Sequence, residues 1–186
     1  MMEATAQTEV NISFGHRPRV VLVGPPGSGK STIGRRLASA LNCEFIDTDE
    51  LIEAREGCPC GVIITDHGEP HFRAVEAEEV ARALQTDGVV SLGGGAVLTP
   101  STRNLLEDMT VIFLDVAAAE GVRRTVSDSN RPLLTPQDNE SRLQSYQQML
   151  DDRCTYYRDV ADFRVRTDKR SPQQTVGDIL GFLDSL

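Results

Sequence analysis

An α/β fold, with a parallel sheet covered by helices on both faces, is what this sequence predicts on three observations. A short apolar run, Arg19–Val23, leads into Gly24-Pro25-Pro26-Gly27-Ser28-Gly29-Lys30-Ser31 and then into apolar residues at helical spacing. Strand-like and helix-like segments then alternate along the chain, which is the pattern of a parallel sheet. Four of the strand-like segments run into glycines or acids, and in such sheets ligands collect at the carboxyl ends of the strands.

The first element pair carries the strongest signal. Val20, Val21, Leu22 and Val23 suit a buried parallel strand, and Ile33, Leu37, Ala38 and Leu41 mark one face of a helix. Residues 24–31 between them complete the pattern G-x-x-x-x-G-K-[ST]. Strand, glycine loop and helix in that order make the motif a phosphate site. Gly27, Ser28 and Gly29 turn backbone N–H groups inward, and the helix N-terminus adds its positive dipole end. Lys30 reaches β- and γ-phosphates, and the Ser31 hydroxyl is a ligand for Mg²⁺.

The remaining elements follow in order. Cys43–Asp47 reads as a second strand, and 48–55 as a helical turn or two. Residues 57–71, with Gly57, Pro59, Gly61, Gly68 and Pro70, read as irregular, with Cys58, Cys60, His67 and His71 on turns and loops rather than at a metal. Phe72–Leu84 reads as a helix, and Gly88–Leu92 as a third strand running into Gly93-Gly94-Gly95. Thr110–Asp115 is a fourth strand, with a helix over 117–125. Residues 126–138 are polar and turn-rich, and a long helix over 139–152 leads to Arg153. Phe163–Arg166 is a fifth strand, and Val176, Ile179, Leu180 and Leu183 form the stripe of a last helix.

Composition sets the bounds. With 186 residues, 39% apolar and 25% charged, the chain has the material for a single packed domain over 18–186, after an arm over 1–17. A net charge of −9 argues against nonspecific nucleic-acid binding, which needs a basic face, but not against ATP held by loop amides and a few cations. Met1–Arg17 lacks the basic start and apolar run of a secretory signal, and no stretch is apolar enough to span a membrane. Four scattered cysteines suit a reduced, cytoplasmic protein, expected to act as a monomer.

Asp47-Thr48-Asp49 closes the second strand. Residues two apart on an extended segment point the same way, so both carboxylates would face the phosphates, one supporting Mg²⁺ and one orienting a hydroxyl. The alternative is a pair of solvated acids capping the next helix. Gly93-Gly94-Gly95 permits close backbone approach to a ligand. Arg73, Arg131 and Arg153 suit anionic ligands, because guanidinium forks hold carboxylate or phosphate bidentately.

In combination these segments resemble the shikimate kinase family, with a match close to its actinobacterial members. The resemblance is carried by residues 24–38, Phe45-Ile46-Asp47-Thr48-Asp49, Gly68-Glu69 with Phe72-Arg73, Ser91–Val97, Glu120–Thr125, Arg131-Pro132-Leu133-Leu134, and Arg153 with Tyr157. It implies a P-loop, nucleoside-monophosphate-kinase-like fold. This is a three-layer α/β/α sandwich on a five-stranded parallel sheet, with a substrate-binding segment over about 48–85 and a lid over about 126–138. It implies transfer of the γ-phosphoryl of ATP to the 3-hydroxyl of shikimate. On that resemblance Asp49 activates the hydroxyl, Arg73 and Arg153 clamp the carboxylate, and Gly93, Gly94 and Gly95 line the ring. Ser31 and Asp47 serve Mg²⁺, Lys30 and Arg131 reach the phosphates, Thr32 joins the loop site, and Arg124 and Pro172 lie near the adenine. Val62-Ile63-Ile64 and Cys154-Thr155-Tyr156 depart from the family pattern. Two other readings of the fold are a gluconate-type sugar-acid kinase and a non-catalytic nucleotide-binding regulator. The first fits less well because the chain has Asp-Thr-Asp rather than Asp-Gly-Asp. The second fits less well because no phosphoryl-transfer residue is missing.

Overall fold

The computed structural model describes residues 17–126 and 139–186. Five parallel strands form one sheet: β1 (Val20–Val23), β2 (Phe45–Asp47), β3 (Val89–Ser91), β4 (Val111–Asp115) and β5 (Phe163–Arg166), in the order β2-β3-β1-β4-β5. All four β1 residues are buried because β1 is the central strand and both its faces are covered. Alternate side chains of β1 serve different layers. Val20 and Leu22 pack with Ile33 and Leu37 of α1 (Lys30–Ala40) and with Ile179 of the last helix. Val21 and Val23 pack on the other face with Val80, Leu106 and Tyr157. Three layers result, as the resemblance implies.

Between β2 and β3 lie α2 (Thr48–Glu56), α3 (Cys60–His67) and α4 (Glu69–Ala83). Ile52, Ile63, Phe72 and Val75 give them a small core of their own. Ile63 of the departing Val62-Ile63-Ile64 segment is therefore a packing residue.

This region corrects the sequence reading, since 57–71 is helical rather than irregular. Its glycines and prolines punctuate helices instead of interrupting them. Gly57 ends α2 at φ 72°, Pro59 caps α3, Gly68 at φ 86° closes α3 and opens α4, and Pro70 sits in the first turn of α4. His67 and His71 accordingly lie on helices, and α4 begins before Phe72, so Arg73 lies within it.

A 3₁₀ turn (Ala96–Leu98) and α5 (Pro100–Leu106), which the sequence pattern did not reveal, follow β3. Helix α6 (Ala118–Thr125) follows β4, α7 is Asn139–Val160, and α8 is Pro172–Leu183. Because α7 runs on past 152, Arg153 sits inside the helix and not at its end. Among the described residues no helix is long and apolar enough to cross a membrane. Residues 1–16 of the arm expected over 1–17, and 127–138 of the lid expected over about 126–138, with Arg131, lie outside the described residues.

Candidate active site

The carboxyl ends of β1, β2 and β3 meet at one cleft, and local sequence explains how each presents its residues. After β1 the chain must reverse tightly into α1. Gly27 adopts φ 74° with its α-carbon against α6, where a β-carbon would stand 2.7 Å from the Gly121 carbonyl. Gly29 caps α1 at φ 94°. Both positions need glycine. Lys30, buried beneath the loop, donates from Nζ to the Gly24 and Pro25 carbonyls at 2.8 and 3.0 Å.

At the end of β2 the two acids divide. Asp47 is the N-cap of α2: Oδ1 accepts from the Asp49 backbone N–H at 3.0 Å, and Oδ2 accepts from the Ser31 hydroxyl at 2.7 Å. The expected extended segment with parallel carboxylates is corrected here, because the chain turns into helix at Thr48. The capping alternative holds for Asp47, which nonetheless joins Ser31. Asp49, in the first turn of α2, points to the third strand end. A β-carbon on Gly93 would stand 2.5 Å from Asp49 Oδ1. Thr48 Oγ1 accepts from the Gly93 N–H at 3.0 Å and fixes that approach.

The triple glycine is thus a surface on which charged groups lie. Asp49 and Glu76 press on Gly93, Pro26 packs on Gly94, and the Arg73 guanidinium covers Gly95. Arg73 Nη1 donates to Glu76 Oε2 at 2.6 Å, and Arg73 also bonds the more exposed Glu69. Burial holds the Glu76 carboxyl above its ordinary pKa, against the pull of Arg73 and Arg153 and reinforced by Asp49. For Arg73, burial favours the neutral form, but Glu76 and Glu69 together outweigh it and hold the guanidinium charged. Arg153 thereby joins the cluster from α7. Tyr157, one turn further along α7, donates its hydroxyl to the Gly94 carbonyl, and burial pushes its phenol up to about 12.

Glu76 and Tyr157 were not among the residues expected at the site. Glu76 was detectable as an acid one turn from Arg73 on the apolar side of α4. The partner of the Tyr157 hydroxyl had no signal in the sequence.

On the other side of the phosphate loop, Arg124 Nη1 donates to the Gly27 carbonyl at 3.2 Å, and Nη2 donates to the Thr167 carbonyl at 3.0 Å. Glu120 Oε1 accepts from Arg124 Nε at 2.7 Å and steadies it. A capping box of Ser171 and Gln174 sets the start of α8 and places Pro172 there. Arg124, Pro172, Ser28 and Thr32 line a cleft of about 220 Å³. It meets, at Gly29 and Thr32, a second cleft of about 160 Å³ lined by Lys30, Ser31, Asp47 and Asp49. The Ser31 and Asp47 oxygens form a hard donor pair of the kind Mg²⁺ takes when phosphates and water complete its shell.

A larger cavity, about 550 Å³, lies at the amino ends of β4 and β5 and is lined by Arg103, Tyr156 and Asp162. Tyr156 stacks under Arg103 at 4.5 Å, so this departure from the family pattern faces away from the cleft. Of the expected site residues, Gly27, Ser28, Gly29, Lys30, Ser31, Thr32, Asp47, Asp49, Arg124 and Pro172 line the two joined clefts, while Arg73 lies over the Gly93–Gly95 loop beside them.

Comparison with known proteins shows the family. The shikimate kinase family model matches residues 26–184. The chain is 58% identical over 170 residues to a shikimate kinase of Corynebacterium diphtheriae, covering 91% of this chain and 96% of that one. It is 55% identical over 168 residues to that of Corynebacterium efficiens, covering 90% and 98%. A solved shikimate kinase from Acinetobacter baumannii in complex with shikimate superposes with a TM-score of 0.85 at 32% identity, covering 91% of this chain and 93% of that one. The phosphate loop, the acids at the end of β2 and the arginines over the glycine loop thus stand in a chain that belongs to the shikimate kinase family, the ATP-dependent phosphotransferases of the shikimate pathway.

Proposed function

We propose that this protein transfers the γ-phosphoryl group of ATP to the 3-hydroxyl of shikimate, with the cleft residues in the roles that follow. The carrying observation is the meeting, on one glycine loop, of Asp49 from the nucleotide side and the Arg73–Glu76 pair from the acceptor side. The base and ribose occupy the cleft at Arg124 and Pro172, and the phosphates lie along Gly27–Thr32. Lys30 meets the β- and γ-phosphates from beneath the loop. Ser31 and Asp47 would hold Mg²⁺, which would supply charge neutralisation at the phosphate oxygens. Arg73 and Arg153 hold the acceptor carboxylate, and Gly93, Gly94 and Gly95 let the ring lie against the backbone. Asp49 orients the acceptor hydroxyl and takes its proton as the phosphoryl group is transferred. From the family resemblance alone, Arg131 adds a cation at the phosphates.

The protein acts as a cytoplasmic monomer on this reading. The chain itself supplies each described group of the site, and its four cysteines are unpaired. The test is ADP release with MgATP and either shikimate or gluconate as acceptor. Turnover with shikimate alone is the expected result. No ADP release above background from folded protein would overturn the reading, and preference for gluconate would favour the sugar-acid kinase.

A further inference from the structure

We propose that α7 sets the distance between the nucleotide loop and the acceptor loop, with Tyr146 and Tyr157 as its two positioning residues. The proposal rests on the kinase reading above. The two residues are about three helical turns apart and so share one face of α7. Both are fully buried. Tyr146 donates its hydroxyl to the Pro26 carbonyl of the phosphate loop at 2.6 Å. Tyr157 donates to the Gly94 carbonyl of the glycine loop.

A buried tyrosine hydroxyl takes some partner in any core. Here the partners include the two loops that must be in register for transfer, Arg153 also reaching the Tyr157 hydroxyl, and those loops touch each other. A β-carbon on Gly94 would stand 3.1 Å from Pro26 Cδ. The links close into a ring running from Tyr146 to Pro26, across to Gly94, to Tyr157 and back along α7. Tyr146 reaches Pro26 across Gly121, where α6 has no side chain to obstruct it. Arg153, an acceptor ligand on the proposed reading, sits on the same helix between the two tyrosines.

A rigid link of this kind acts on alignment more than on affinity. In-line phosphoryl transfer depends on placing donor and acceptor oxygens together, and displacement by about 1 Å can cost on the order of 10²-fold in rate. The experiment uses the full chain with Tyr146→Phe, Tyr157→Phe and the double substitution, each of which keeps the ring and removes only the hydroxyl. Kd for ADP alone and for shikimate alone is measured beside kcat and KM, with thermal melting as the check of folding. Each single variant is expected to lose about tenfold or more in kcat while each separate Kd changes less than about threefold. The double variant is expected to lose much less than the product of the two, because both hydroxyls hold one frame. If either single variant fails to fold, the other carries the test alone.

The proposal is overturned if kcat stays within about twofold of wild type. It is also overturned if each loss appears only as weaker binding of the ligand on that tyrosine's own loop, ADP for Tyr146 and shikimate for Tyr157. Absence of wild-type turnover with shikimate would count against the kinase reading instead, before any variant is compared.

Discussion

Ser31 and Asp47 are joined by a 2.7 Å hydrogen bond, which ties the first turn of α1 to the end of β2. The same Asp47 carboxylate caps α2, so one residue serves the helix and the proposed Mg²⁺ site together. Ser31→Ala should therefore weaken binding of MgADP while leaving metal-free ADP little changed. Asp47→Ala should do the same and also lower stability by about 1 kcal/mol, the usual cost of a lost N-cap. Titration calorimetry with and without Mg²⁺, beside thermal melting, separates the two effects.

Asp49→Asn keeps the shape of the side chain and removes its basicity. The expected result is a fall in kcat of roughly 10²–10⁴-fold, typical of a general acid–base group, with ADP binding nearly intact. Wild-type turnover in this variant would remove Asp49 from the mechanism.

Arg73→Ala and Arg153→Ala should raise KM for shikimate far more than KM for ATP. Truncating one side of a buried charge pair costs on the order of 2–5 kcal/mol. Gly95→Ala tests the geometry without touching a charge, because a β-carbon there would overlap the Arg73 guanidinium. It should mimic Arg73→Ala in direction. Steady-state kinetics with each substrate varied in turn reads both outcomes.

The pH dependence of stability should carry a signature of Glu120. Hydrogen bonds from Arg123 and then Arg124 hold its carboxyl down at about 2, below the ordinary 4.5. A depressed pKa stabilises the fold above the unfolded value, and the contribution is lost as pH falls from 4.5 toward 2. The side chain is 23% exposed, so salt should weaken the effect. Glu120→Gln is expected to flatten melting temperature against pH in that window. It should also raise KM for ATP several-fold, because Arg124 loses the carboxylate that steadies it beside Gly27. A melting curve with unchanged acid dependence would overturn this role for Glu120.

The sequence by itself determined the sheet, the phosphate loop and the strand ends that gather at the cleft. These signals are local. A β-branched run, a glycine pattern and helical periodicity each depend on residues within a turn or two of one another. The segment 57–71 is helical although its composition suggests a loop, because glycine and proline signal both a loop and a helix boundary. Only packing of Ile52, Ile63, Phe72 and Val75 into one core decides for the boundary. Tertiary structure alone decided that Asp47 caps a helix while holding Ser31, that Glu76 lies with Arg73 and Arg153, and that Tyr146 and Tyr157 bond to Pro26 and Gly94. Tyr146 and Pro26 are 120 positions apart, and Tyr157 and Gly94 are 63 apart. A hydrogen bond across such a separation leaves no periodic mark in the chain, because it forms only when layers on opposite sides of a loop are already packed.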